Sequence, residues 1–539
     1  MYFRKRLNVS DLYKSLGSWN NLYGRVIALN TLVFSSGQLH YSFKRSLAWK
    51  RESFEFYDCD GCFYTAIDAN ATLFLERKYG DSKATFTTYE YALFVEGGEI
   101  FGLLLLIALY KLNTSSHLTI AALMYTFCPL VHFTRSKTFA RASLFLSGAS
   151  IRMIRVPTMM HCMESLPQHL RVYGLSIMFC TGVISNLWLV MFVRLVSHSL
   201  FWTHAMIAVA FLITCSVHIW FAPPSIMNTL YKAEAVVLNE QLSKWVPNDE
   251  LVNIDDLIDN VLYRGPVFSS QMNSFSQIVA MGPFLRKFLI CAALLPLDTI
   301  IQSMSDSYRS RRLNIGAYEG DFVLNVAYFI GIVVTVYLNI KYGRRFPLGI
   351  GLAFSVISLM IMTSVTLESY NACWRVSTPH GWRAILANLA YVCAIICSVI
   401  IKVTIRLVLF ENVPTSVRSL VPVAFFYAAV MILVTNSLVA LTKGFSDAYP
   451  NGTNIYTLAY TLFVAPFALL LDDSTYMPTN SAEIAVYSVP PRDYPSNLDH
   501  DDIASEHFST RMMLEACAAA EEAKKEAHSG SGEKSSRRA

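Results

Sequence analysis

Charge is what this 539-residue chain has least of: Asp, Glu, Lys and Arg make up only 15% of it, against about 25% in an average soluble domain. Hydrophobic residues reach 54%. A soluble chain this apolar lacks the polar surface to cover its core, so the composition points to a membrane. The net charge of +5 is small and much of it sits at the two termini, which gives no case for nucleic-acid binding. Also lacking are a G-x-x-x-x-G-K-[ST] phosphate loop, a G-x-S-x-G nucleophile turn and an H-E-x-x-H zinc helix. ATP-driven transport, serine hydrolysis and zinc proteolysis each lose their machinery. No enzyme activity, cofactor or metal is expected.

Cysteine is present without a framework. Cys128, Cys180, Cys215, Cys291, Cys393 and Cys397 lie in apolar runs, where a thiol behaves as a small buried hydrophobe. Cys59, Cys62 and Cys373 fall in loops predicted to face an oxidising exterior; a disulfide among them is expected, its pairing left open. A zinc site at Cys59 and Cys62 lacks two further ligands nearby. His132, His161, His204 and His218 stand alone at unrelated positions and read as packing or interfacial residues.

What the chain does have is long apolar runs. Stretches of about 20 residues with few charges occur near 22–43, 90–110, 117–134, 139–163, 174–196, 201–221, 284–303, 322–340, 348–366, 384–410, 420–442 and 455–471. The first is too long and too far from Met1 for a cleaved signal peptide. Twelve spans predict an all-α multi-pass membrane protein. A polar insert, 223–283, divides them six and six. The expected organisation is a cytoplasmic N-terminus (1–21), a first six-helix half (22–222) with an outer loop at 44–89, the insert, a second half (284–472), and a tail (473–539). The tail is rich in Ser, Gly, Lys and Arg, with an acidic run at 499–502. It reads as disordered, with a segment suited to a cytoplasmic partner or simply solvated.

Two stretches, Glu-Ser-Leu-Pro-Gln-His-Leu-Arg at 164–171 and Glu-Asn-Val-Pro-Thr-Ser-Val-Arg at 411–418, share the frame E-x-x-P-x-x-x-R. Each joins one span to the next, which suggests two similar halves. Glu164 and Glu411 close one helix, Pro167 and Pro414 start the next with φ already fixed, and Arg171 and Arg418 then lie back near the carboxylates. An even number of spans puts both termini on one side, taken as cytoplasmic. The sequons at Asn70 and Asn451 then fall outside and are expected to be glycosylated, while those at Asn8 and Asn113 fall inside. Arg4, Lys5, Arg6, Lys341, Arg344 and Arg345 obey the positive-inside rule; Arg309, Arg311 and Arg312 run against it.

Ionisable residues within spans cost about 2.5–3.5 kcal/mol each at the bilayer centre, so they face water or a partner. Glu96 and Glu99 share a face of the second span, Arg152 and Arg155 of the fourth, Lys402 and Arg406 of the tenth.

The chain resembles the major facilitator superfamily, and within it the organic cation, anion and carnitine transporters. The resemblance rests on Asp11-Leu-Tyr-Lys-Ser-Leu-Gly17, the large first outer loop, the two E-x-x-P-x-x-x-R stretches, Tyr342-Gly-Arg-Arg345, the long insert, and Leu470-Leu-Asp-Asp-Ser-Thr-Tyr-Met-Pro478. It implies the major facilitator fold, with two pseudo-symmetric halves rocking about a central site. By the same resemblance Gly343, Arg344, Arg345, Glu411, Pro414 and Arg418 form a cytoplasmic latch, and Glu164, Pro167 and Arg171 a weaker one. The alternative is that these are interfacial charges marking helix ends.

The resemblance also places Arg152, Arg155, Lys402 and Arg406 around the substrate, with Asp298, Gln302, Asn30 and Gln38 as further candidates, and Glu96 and Glu99 are candidate substrate contacts as well. Four cations favour a small organic anion. The competing readings are that Glu96 or Glu99 pairs with Arg152 or Arg155 between packed helices, and that Lys402 and Arg406 snorkel to the inner face. Phe425-Phe-Tyr427 offers rings for a flat substrate or for packing.

Departures from the family pattern weigh the other way. Tyr110-Lys-Leu-Asn-Thr-Ser-Ser116 stands where a Gly-Arg-Arg turn belongs, and Ala222-Pro-Pro-Ser225 where Pro-Glu-Ser-Pro-Arg belongs. Ile340 and Leu144 replace an expected acid and an expected arginine. Two functions are therefore expected: a plasma-membrane transporter of small organic ions, or a transporter-derived receptor, sensor or scaffold with little transport.

Overall fold

The computed structural model describes residues 21–49, 88–110, 112–130, 137–196, 200–226, 229, 240, 282–302, 317–368, 381–413, 420–441 and 452–471. Among them, twelve helices of at least 13 residues follow in chain order: α1 (Asn21–Trp49), α2 (Thr88–Ala108), α3 (Thr114–Leu130), α4 (Lys137–Ser165), α5 (Gln168–Leu195), α6 (Leu200–Phe221), α7 (Gly282–Leu294), α8 (Ala317–Tyr342), α9 (Arg345–Glu368), α10 (Trp382–Asn412), α11 (Leu420–Leu441) and α12 (Gly452–Val464). Each overlaps its predicted span. A 3-10 turn, Ala465–Leu470, extends α12. The described residues contain no strand. Most of the 44–89 loop, most of the insert and all of the tail lie outside the described residues.

Five of these helices are long and apolar enough to cross a bilayer by length and composition alone. Their outward faces carry large apolar side chains such as Trp220 (82% exposed), Leu389 and Leu195, the inverse of a water-soluble surface. The least apolar helices are α1 and α4. Their polar residues face inward: Asn30, Ser36, Gln38, His40 and Ser42 on α1, and Ser143, Ser147, Ser150, Arg155, Thr158 and His161 on α4, are all buried.

The packing repeats with an offset of six. In the first half α1 packs on α4, α5 and α6, α2 on α4, and α3 on α4 and α6. In the second, α7 packs on α10, α11 and the turn after α12, α8 on α10, and α9 on α10 and α12. The halves meet through α2 on α11 and α5 on α8, which exchange under the same offset, and through α5 on α10. This is the expected pseudo-symmetric arrangement.

Two local features position the site. A Cβ on Gly98, Gly102 or Gly148 would run into the backbone of Phe145, Ala149 or Val95, so α2 and α4 lie in backbone contact, as small residues permit in lipid. In the seventh span, Pro296 ends the first helical piece after a turn at 295–296; the chain is helical again over 297–302. Asp298 therefore sits in the first turn of the second piece.

Candidate functional site

A small polar cleft opens at the seam between the halves, with room of about 30 Å³ for water-sized occupants. Gln38 and Ser42 of α1 and Gly182 and Asn186 of α5 line it from one side; Gln302 of the seventh span, Asn325 and Tyr328 of α8 and Lys402 of α10 line it from the other. Asn186 Nδ2 donates to Asn325 Oδ1 across the seam at 3.2 Å.

At the base of the cleft two cations share one carboxylate. Asp298 Oδ2 lies 3.6 Å from Lys402 Nζ and 3.3 Å from Arg406 Nη2. Lys402 Nζ also donates to Gln302 Oε1 at 3.4 Å, and Arg406 Nη1 to the Lys402 carbonyl at 2.7 Å. All three charged groups are buried, Asp298 to within 1% of complete. The snorkelling alternative therefore fails: both cations turn inward to a carboxylate. Aromatic faces supply the rest of their surroundings. Lys402 Nζ is 5.3 Å from the Tyr328 ring centre, and Arg406 Cζ is 5.9 Å from that of Phe425.

The other arginine candidates sit elsewhere. Arg152 Nε donates to Glu99 Oε2 at 2.8 Å, between the α4 and α2 backbones that the glycines bring together, so it lies between packed helices and does not line the cleft. Glu96 is buried on the same face of α2. Arg155 is buried with its guanidinium 5.0 Å from the Phe34 ring centre.

About 13 Å further along α10 from Lys402 a second buried ion pair joins two elements of the second half. Arg344 Nη2 and Nε donate to the two oxygens of Glu411 at 3.0 and 3.3 Å, and Nη1 donates to the Asn339 carbonyl at 3.0 Å. Gly343 makes this possible: its φ of 76° is the left-handed conformation in which glycine is unstrained, and it turns Arg344 back beneath α8. Arg345 has a different job, donating to the Leu469 carbonyl at 2.8 Å after α12.

In the first half Glu164 Oε2 accepts from Ser225 Oγ at 2.8 Å, and Arg171 Nε donates to the Leu166 carbonyl at 3.1 Å. Pro167 precedes α5 with φ −64°, as its position predicted. Pro414, Arg418, Asn70, Asn451, Cys59, Cys62 and Cys373 lie outside the described residues.

Reading His161 and His218 as solitary needs correction, while His132 lies outside the described residues. Asn30 Nδ2 donates to His161 Nδ1 at 2.9 Å, His218 Nε2 donates to Asn30 Oδ1 at 3.2 Å, and His161 Nε2 donates to the Pro223 carbonyl at 2.9 Å. Asn30 thus joins α1 to α4 and α6 and does not line the cleft. Sequence reasoning also missed Ser42, Asn186, Asn325 and Tyr328 of the cleft. The two asparagines had a signal, as amides within apolar runs; the others had none.

No family model and no curated protein matches this sequence. Solved structures do match. A major facilitator superfamily proton:xylose symporter, XylE, bound to 6-bromo-6-deoxy-D-glucose superposes with a TM-score of 0.56 at 13% identity, covering 89% of this chain and 100% of that one. The partially occluded inward-open xylose transporter XylE from E. coli gives 0.50 at 13%, covering 84% and 98%. An auto-inhibited POT family peptide transporter gives 0.51 at 12%, covering 86% and 99%. The chain thus has the major facilitator fold, in a multi-pass membrane architecture.

Proposed function

We propose that this protein is a secondary active or facilitative transporter that carries small organic ions, organic anions by preference, through alternating access. The observation that carries this reading is Lys402 in the wall of a seam cleft, sharing the single carboxylate of Asp298 with Arg406. A solute carboxylate reaching the Lys402 wall of the cleft would meet a buried cation at close range. Gln38, Gln302, Asn186 and Asn325 add donors and acceptors for the rest of the solute.

Arg344 and Glu411, with Gly343, Arg345, Pro414 and Arg418, then hold the cytoplasmic side shut, and Glu164, Pro167 and Arg171 contribute more weakly. In this orientation the chain sits in the plasma membrane with glycans on Asn70 and Asn451, a disulfide among Cys59, Cys62 and Cys373, and a tail free to meet a cytoplasmic partner.

Proteoliposome uptake of labelled benzoate, tetramethylammonium, xylose and diglycine tests the reading. Saturable benzoate uptake that falls at least tenfold in Lys402→Ala is the expected result. Normal folding with no uptake of any probe would instead favour a receptor or sensor. That second reading draws on the first half, where a serine hydroxyl reaches Glu164 and residues 110–116 lack the Gly-Arg-Arg turn.

A further inference from the structure

The centre of the bundle holds an unbroken run of cations and rings. Arg155 of α4 lies over Phe34 of α1 at 5.0 Å. Phe34 meets Phe179 of α5 edge to face at 5.3 Å and 85°. The Phe179 ring in turn faces both cations of α10, 5.4 Å from Arg406 Cζ and 5.8 Å from Lys402 Nζ. Phe34 and Phe179 are fully buried. Phe179 also lies one turn from Gly182, which lines the cleft, so its ring sits on the same face of α5 at the base of that cleft.

From this geometry we propose that Phe179 is a positioning residue that holds Lys402 and Arg406 across the seam and stabilises the present arrangement of the two halves. The physical reason is the charge balance. Two cations share one carboxylate on their own half, and the negative face of an aromatic ring from the other half adds its attraction to those pairings. Because the ring rides on α5 and the cations on α10, this attraction exists only while the halves keep their present relation. Rocking the halves must separate them. An aliphatic side chain of similar size would fill the same space without that face, so packing alone does not account for the ring.

The proposal rests on the transporter reading for its role in uptake, but its conformational part is measured independently. In the full chain reconstituted in lipid, spin labels at His169→Cys and Tyr342→Cys report the separation of α5 and α8 at the Arg344–Glu411 end. Both positions are exposed. Phe179→Leu is expected to raise the population of longer distances about tenfold, the factor a desolvated cation–π contact supports. Phe179→Tyr is expected to leave the distances near the unsubstituted ones. A series of progressively fluorinated phenylalanines at 179 preserves shape while draining the ring face, so the long-distance population should climb with each fluorine. Distances indifferent to fluorination, or a Leu variant matching Tyr, overturn the proposal whatever uptake does. Distances that respond while no probe is transported by the unsubstituted protein overturn the transporter reading and leave this one standing.

Discussion

Removing the carboxylate of Asp298 orphans two buried cations at once. At 3.3 and 3.6 Å and an effective dielectric constant near 20, each pair is worth about 5 kcal/mol of gross attraction. Most of that only offsets the cost of taking the charges out of water. The net loss on deleting one partner of a buried pair is about 3–5 kcal/mol, and Asp298→Asn is expected to fall in that range. The Lys402 carbonyl and the rings around both cations keep it from exceeding it. The informative comparison is the triple variant Asp298→Asn, Lys402→Met, Arg406→Met. With every charge gone, nothing buried lacks a counter-ion, and stability is expected to return to within about 1 kcal/mol of the parent, with solute binding abolished. Unfolding midpoints in mixed micelles, paired with binding of labelled benzoate, measure both quantities. A single variant as stable as the parent would refute the shared-carboxylate argument, as would a triple variant no better than the single.

At the far end of α10, Arg344→Lys keeps the charge but loses the two-pronged contact with Glu411 and the bond to the Asn339 carbonyl. Lysine does not replace that fork, so under the proposed latch role thiol labelling of a reporter cysteine at that end should rise severalfold. An unchanged labelling rate would show that the pair does not close that end. Gly98→Ala drives a methyl into the Phe145 backbone and is expected to cost about 1–3 kcal/mol through overpacking. Gly97→Ala, whose nearest neighbour is the Phe145 ring edge at 3.7 Å, should be tolerated. Thermal denaturation of the two variants side by side decides whether backbone contact between α2 and α4 is the reason.

The helices were legible because lipid imposes a simple rule: about 20 residues with few charges make one crossing. The halves were legible in E-x-x-P-x-x-x-R, and the buried Arg344–Glu411 pair in the charges of Gly-Arg-Arg and Glu411. The site was read less evenly. Four cations on inward helices looked alike in sequence, yet Arg152 pairs with Glu99 while Lys402 meets the cleft. That choice is made by backbone approach at Gly98, Gly102 and Gly148, for which the Gly98-x-x-x-Gly102 spacing was an unread signal. The opposite error befell His161 and His218, which lie 57 residues apart in sequence and are joined by an amide from a third helix.

The inward polarity of α1 and α4 also bears on how the chain is made. Five other helices have the length and composition to dwell in lipid unaided. Of these two, α1 reaches forward through Asn30 to His218 of α6, and α4 through His161 to the Pro223 carbonyl after α6, partners that emerge later. Their residence in the bilayer is therefore a collective outcome, secured only when the neighbours that receive those groups have arrived. Truncation after α4 would strand α1 and α4 with their polar faces turned toward hydrocarbon.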